Sequence, residues 1–207
     1  MIQGVVLAGG QSTRMGQDKA MLPIAGVPML YRIARTLSEV CGGVTVIGRE
    51  RPVNWPGDLS ATFLMDEGSA ETMPGISGGP LIGLMTALRH TEGSILLLAC
   101  DMPLVSAATL QSLLSAHSPA SRATIAIHAS PPHEAEPALA VYTPGVLGEL
   151  ERMLAQNRRS LQQLTRLPNI ATWSIPKDAE WQMLNVNDQT TLLRAQALAI
   201  DHGLPRG

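Results

Sequence analysis

The residues best suited to chemistry stand in one run near the amino terminus, Leu7-Ala8-Gly9-Gly10-Gln11-Ser12-Thr13-Arg14-Met15-Gly16-Gln17-Asp18-Lys19. A glycine-rich turn behind an apolar strand aims several backbone N–H groups at one anion, and the missing Cβ atoms let a phosphate come close. Arg14 and Lys19 add fixed positive charge to the same loop. The spacing is neither the G-x-x-x-x-G-K-[ST] of a P-loop nor the G-x-G-x-x-G of a dinucleotide site. A glycine turn alone is more often only a turn. Gly, Ser, Arg, Gly and Lys together, directly after a first strand, point to an anion site.

Asp101 is the second chemical candidate. It follows the apolar run Ser94 to Cys100, precedes Met102-Pro103, and offers the hard oxygen that Mg²⁺ prefers. It could instead cap a turn, but Ser106 is better placed to cap the helix that follows. Asp66 ends another apolar run, where an aspartate often only forms a turn. Asn185 and Asn187 precede an apolar helix whose cap Asp188 competes for. Arg158-Arg159 is either a solvated helix end or a receptor for a phosphate. The histidines His90, His117, His128, His133 and His202 show no zinc-binding spacing and read as surface or loop residues. Ser12 lacks the G-x-S-x-G context of a nucleophile. Cys100 sits beside a carboxylate, which raises a thiol pKa, so it reads as core packing.

These residues need a scaffold, and the chain is sufficient for one. Its 207 residues are 45% hydrophobic and 15% charged, the make-up of a single ordinary domain rather than a collagen, coiled coil or disordered tail. With 15 Lys+Arg against 17 Asp+Glu, the net charge of -2 gives no broad attraction for nucleic acid or anionic membrane, so any phosphate must be held locally. Cys41 and Cys100 form no C-x-x-C pair, which fits a reducing cytoplasm. No apolar run approaches the about 20 residues of a membrane span, and Met1-Ile2-Gln3 lacks the basic start of a signal peptide. Only one Phe, two Tyr and three Trp are present, so the core must be built from Leu, Val, Ile, Ala and Met.

Ile2 to Leu7 predicts a strand buried on both faces. Pro28 opens a helical pattern (Leu30, Ile33, Ala34, Leu37, Val40) that Gly42-Gly43 stop. Strands are predicted over Val44 to Ile47, Ala61 to Met65, Ser94 to Cys100 and Ala123 to His128. Helices are predicted from Gly79-Pro80 and from Ser106 to about His117. This alternation argues for a parallel sheet flanked by helices, with ligands at the carboxyl ends of its strands. That rule places Gly9-Gly10, Asp66 and Asp101 on one rim. The second half is less regular, with strands expected at Leu139 to Tyr142 and Ala171 to Ile175 and helices from Thr143-Pro144, from Ser160 and over Asp188 to Ile200.

The motif L-A-G-G-x-S-x-R-M-G-x-D-K resembles the signature of the molybdenum cofactor guanylyltransferases, the MobA family. The resemblance continues through Gly26-Val27-Pro28, Asp66, Gly79-Pro80-Leu81-Ile82-Gly83, Cys100-Asp101-Met102-Pro103, Glu136-Pro137, Arg159-Ser160 and Asn185-Val186-Asn187. It implies a three-layer α/β/α, Rossmann-like, mostly parallel sheet of the nucleotide-diphospho-sugar transferase (GT-A-like) fold. The implied activity moves GMP from GTP onto molybdopterin and releases pyrophosphate. Leu7, Ala8, Gly9, Gly10, Lys19, Asp66, Asp101 and Asn187 would then bind the nucleotide; Lys19, Arg14 and Asp101 would be catalytic, with Mg²⁺ on Asp101. Residues 1–202 would form one domain, 1–118 its nucleotide half and 119–202 its acceptor half, with 203–207 a frayed tail. A cytoplasmic monomer is expected, touching transiently the proteins that donate molybdopterin and mature molybdoenzymes, and binding neither nucleic acid nor membrane. The alternatives are a cytidylyltransferase for molybdopterin, a sugar-phosphate nucleotidyltransferase, or a catalytically silent nucleotide-binding regulator.

Two features depart from the family pattern. An asparagine that often follows its second strand is replaced here by Ile47 or Gly48, which leaves one nucleotide contact missing or replaced. The stretch 67–80 is a candidate lid over the triphosphate.

Overall fold

Strand β1 (Gln3–Leu7) lies at the centre of the molecule, hydrogen-bonded to a parallel neighbour on each side. The computed structural model describes residues 1–9, 18–67 and 78–205; Gly10, Ser12, Arg14 and most of the 67–80 stretch lie outside the described residues. After β1 come a small hairpin of β2 (Pro23–Ile24) and β3 (Val27–Pro28), then α1 (Met29–Ser38), β4 (Val44–Ile47), β5 (Thr62–Leu64), α2 (Pro80–His90), β6 (Ile95–Ala99) and α3 (Ala107–Ala116). The second half contributes β7 (Ala123–Ile127), β8 (Ala135–Tyr142), α4 (Leu147–Ala155), β9 (Ile170–Ser174) and α5 (Gln189–Asp201). The main sheet runs β5-β4-β1-β6-β8-β7-β9, parallel throughout except for β8.

Alternation along β1 divides the core. Val6 faces the cluster beneath α1 and α3, and Val5 faces the cluster beneath α2 and α4. Each fully buried Val, Leu or Ile adds roughly 1.5–3 kcal/mol over its exposed state, so aliphatic burial on both faces holds the three layers together. The few rings are concentrated: Tyr31 meets Trp55 edge-on at 5.1 Å, and Trp55 meets Phe63 at 4.9 Å. A third small cluster, including Ile24, Met29, Leu104 and Val186, joins the hairpin to α5.

Several sequence expectations shift. The third strand is shorter than Ala61 to Met65. The hairpin of β2 and β3 has no alternating pattern long enough to have been read. Strand β8 begins at Ala135 rather than Leu139, because Pro137 falls where its pairing with β7 slips register and no ladder N–H is required. The helix expected from Ser160 is a 3-10 segment, Leu161–Arg166. Of the segment expected to fray, Gly203 to Pro205 is docked instead: Leu204 N donates to Ala199 O at 2.8 Å, and the Arg32 guanidinium donates to Pro205 O at 2.8 Å. Arg32 is buried and its Nη2 also donates to Ile24 O, so carbonyl dipoles rather than a carboxylate receive that nitrogen, while its Nε has no hydrogen-bond partner among the described residues. Among the described residues no helix is long and apolar enough to cross a membrane.

Close approach of α1 to β1 depends on Gly4, where an added Cβ would stand 3.1 Å from Leu37 Cβ and 3.3 Å from Cys41 Cβ. Gly4→Val should cost about 2 kcal/mol through overpacking and lower the melting temperature by roughly 4–8 °C for a domain of this size. Gly57→Ala is the control, since nothing lies within 4 Å of its added Cβ. Equal melting of the two variants in a thermal scan would refute this account of the packing.

Candidate active site

Strands β1, β4, β5 and β6 are mutually parallel, so their carboxyl ends share one rim, where Leu7, Ala8, Gly9, Lys19, Asp66 and Asp101 line a single cleft. Lys19 is delivered by a short 3-10 turn, Lys19–Met21, which Asp18 caps by accepting from Ala20 N at 3.1 Å. Its Nζ donates to Asp101 Oδ2 at 3.1 Å and to Asn187 Oδ1 at 2.7 Å. Three motifs far apart in sequence thus meet on one ammonium group.

Local chemistry explains why Asn187 is available. Asp188, not an asparagine, caps α5: it accepts from Thr191 N, and Thr191 Oγ1 accepts in return from Asp188 N, a capping box that also lowers the Asp188 pKa. Val186 N donates to Asp101 O at 2.8 Å and fixes the segment beside the β6 end. Asn185 turns to its own backbone, donating to Met183 O at 3.5 Å.

Asp66 sits in a cradle without Cβ atoms. A Cβ added to Gly78, Gly9 or Gly48 would fall 2.8, 3.0 or 3.3 Å from Asp66 Oδ2, and one on Gly83 3.4 Å from Oδ1. Gly48 has φ +91°, and its added Cβ would collide with Gly9 Cα at 2.5 Å. No described residue donates a hydrogen bond to the Asp66 carboxylate, and burial raises its pKa. The position where an asparagine was expected to be missing is consistent with this packing. Ile47 belongs to the core, and Gly48 serves close approach of two backbone segments.

Other expectations resolve differently. Among the described residues the guanidinium groups of Arg158 and Arg159 bond to nearby side chains, Gln156, Gln163 and Asn157, as in a solvated turn. Cys100 is buried core, its thiol pushed up to about 12 by burial first and by Asp101 second. His128 is not a plain surface residue. Its Nε2 lies 3.3 Å from Glu136 Oε1 and its Nδ1 3.9 Å from Glu180 Oε1, while Ser130 donates to Glu180 through both N and Oγ at 2.8 Å. Burial raises the Glu136 pKa and His128 opposes that rise. Only the eight-residue separation across the β7–β8 connection hints at this pairing. His117 is likewise half-buried, bonded to Thr124 Oγ1 at 2.9 Å, and its pKa is lowered by burial.

Among the described residues no group of three His, Cys, Asp or Glu side chains could hold a metal. One carboxylate, Asp101, beside one amide oxygen, Asn187 Oδ1, suits a Mg²⁺ ion that keeps waters and completes its shell with substrate phosphate, and does not suit zinc.

Comparison with known proteins follows the same line. A MobA-like NTP transferase domain matches residues 4–170. A probable molybdenum cofactor guanylyltransferase from Synechococcus elongatus is 34% identical over 188 residues, covering 90% of this chain and 93% of that protein. The crystal structure of molybdopterin-guanine dinucleotide biosynthesis protein A from Archaeoglobus fulgidus superimposes with a TM-score of 0.73 at 26% identity, over 97% of this chain and all of that one (100%). The 2-C-methyl-D-erythritol 4-phosphate cytidylyltransferase of Thermus thermophilus shares the fold, with a TM-score of 0.68 at 16% identity, covering 97% of this chain and 100% of that one. The sheet order, the rim and these matches agree that the chain belongs to the MobA-like NTP transferase family.

Proposed function

We propose that this protein transfers GMP from GTP to the terminal phosphate of molybdopterin, releasing pyrophosphate. The observation that carries this reading is the convergence of Lys19, Asp101 and Asn187 on one contact, in the cleft that also holds the Asp66 cradle. An oxygen of the acceptor phosphate attacks the α-phosphorus in line; the bond to the α,β-bridging oxygen breaks, and its electron pair leaves with pyrophosphate. The nucleophile is already ionised at neutral pH, so positioning and charge neutralisation supply most of the catalysis.

Lys19 sits in a partly exposed ion pair that a phosphate can compete for, with its side chain 21% exposed. On nucleotide binding its ammonium group exchanges Asp101 for a phosphate oxygen, while Asn187 continues to orient it. Asp101, released, would hold Mg²⁺, which when bound supplies Lewis-acid neutralisation of the phosphate oxygens. Gly9 keeps the backbone open to the phosphates; Gly10 and Arg14, which belong to the same motif, are proposed to add an N–H donor and a charge. Asp66 selects the base. Its two oxygens match the N–H and exocyclic NH₂ of guanine, whereas cytosine would turn the lone pairs of N3 and O2 toward a carboxylate. We place it in a reducing cytoplasm, where the thiols of Cys41 and Cys100 stay unpaired, acting as a monomer that meets its partners only transiently.

Lys19→Ala and Asp101→Ala should each leave a folded protein whose GMP transfer falls by about 10²–10³-fold, the scale for losing one preorganised charged group. The check is pyrophosphate release from GTP plus molybdopterin in Mg²⁺; near-normal turnover by either variant would refute the mechanism.

Asp66→Asn should weaken GTP binding by roughly 10–100-fold, the range for one charge-assisted hydrogen bond to a base, and narrow the preference over CTP. Because burial raises the carboxyl pKa, wild-type affinity for GTP should fall, as pH is lowered, before an ordinary aspartate would protonate. The Asn variant should lack that fall. Calorimetric titration with GTP and CTP across pH decides it, and tighter CTP than GTP binding by the wild type would reverse the base assignment.

A further inference from the structure

Arg49 follows β4 at the rim, and the mechanism above does not use it. Its guanidinium forks onto Asp18, Nη1 to Oδ1 at 3.3 Å and Nη2 to Oδ2 at 2.7 Å. The Arg49 side chain is only 18% exposed, and its buried Nε has no hydrogen-bond partner among the described residues. A buried donor left unsatisfied costs stability, and what Arg49 holds in return is the two-point fork of its other nitrogens on Asp18. The partner is informative: Asp18 Oδ1 also caps the turn that begins at Lys19, and Asp18 O accepts from Met21 N at 3.0 Å.

Lys19 is therefore held from both ends. Its ammonium group is gripped by Asp101 at the end of β6 and by Asn187, on one side of β1. Its backbone turn is anchored through Asp18 to Arg49 at the end of β4, on the other side. A lysine stem has several rotatable bonds and no directional fork, so the position of its charge depends on where its backbone is fixed. Planar bidentate pairing is the contact that fixes a backbone turn in both distance and orientation.

We propose that Arg49 is a positioning residue for the reaction, acting through Asp18 to set the place of the Lys19 ammonium group over the α-phosphate. The segment after β4, which has no asparagine at Ile47-Gly48, thereby contributes to turnover indirectly. This inference rests on the assignment of Lys19 made above.

A double-mutant cycle tests it, with residual transfer followed by radiolabelled GTP. Arg49→Ala should lower kcat by about 10–100-fold, the cost of a small misplacement of a catalytic group, with KM for GTP within about threefold of wild type. Arg49→Lys, which keeps the charge and loses the fork, should recover only part of that. In the Lys19→Ala background Arg49→Ala should have no further effect, because the group it positions is gone. A second route is Asp18→Asn, which retains a capping oxygen and loses the ion pair; it should show the same non-additivity and serves if Arg49→Ala does not fold. Equal loss from either substitution in both backgrounds, or full activity of Arg49→Ala, overturns the inference and leaves the assignment of Lys19 standing. Normal activity of Lys19→Ala alone would instead overturn that assignment.

Discussion

A single ammonium group organises the site. Lys19 Nζ is shared between Asp101 and Asn187, residues contributed by the end of β6 and by the segment before α5. Neither could reach it unless β1, β4 and β6 ran parallel and in register, so that every loop returns to the same rim. The antiparallel β8 does not disturb this, because it joins the sheet beyond β6, on the side away from β4 and β5. The third small core cluster matters for the same reason: packing of Val186 with Ile24 and Leu104 brings the distant 185–187 segment to the rim. Fold and site are thus linked by a few contacts of very long sequence separation.

The first half of this design was legible in the sequence. Continuous apolar runs ending in Gly9 and Asp101 announced the buried strands β1 and β6, the run ending in Asp66 the half-exposed edge strand β5, and all three the rim at which they stop; Ser106 read correctly as a cap because its partner lies three residues away. Asn187 could not be separated from Asp188 by pattern, since both are good caps; the capping box of Asp188 with Thr191 decides between them. The cluster of His128, Glu136 and Glu180 was hidden, because its members come from β7, β8 and a 3-10 segment whose mutual register depends on an irregular pairing. The start of β8 was hidden by Pro137, which breaks the expected pattern where the structure needs no donor. Docking of Gly203 to Pro205 relies on carbonyl acceptors, which carry no side-chain signal.

Glycine content has a geometric reason at two places. Around Asp66, Cβ atoms at positions 9, 48, 78 and 83 would crowd the carboxylate that is proposed to read the base. At Gly4 the same absence lets a helix approach a strand. The scarcity of rings agrees with the first. Three of the six aromatic residues, Tyr31, Trp55 and Phe63, pack edge-on with one another in the core cluster on the α1 face of the sheet, so they leave recognition to polar edges.

The charge at the rim carries a last step. Among the described residues that line the cleft or face its lining, Asp18, Asp66, Asp101 and Glu136 are opposed by Lys19 and Arg49. Arg49 is already committed to Asp18. A triphosphate entering this field finds one ammonium group with which to pair, while Asp101 would repel it. Two further sources of positive potential are consistent with the chain: the glycine-rich motif with its Arg14, and a divalent cation arriving with the nucleotide and accepted by Asp101. The second would turn the repulsive carboxylate into a ligand. On the proposed function, an acidic rim of this kind would favour the nucleotide as its metal complex over the free anion, without a preformed cluster of metal-binding side chains among the described residues.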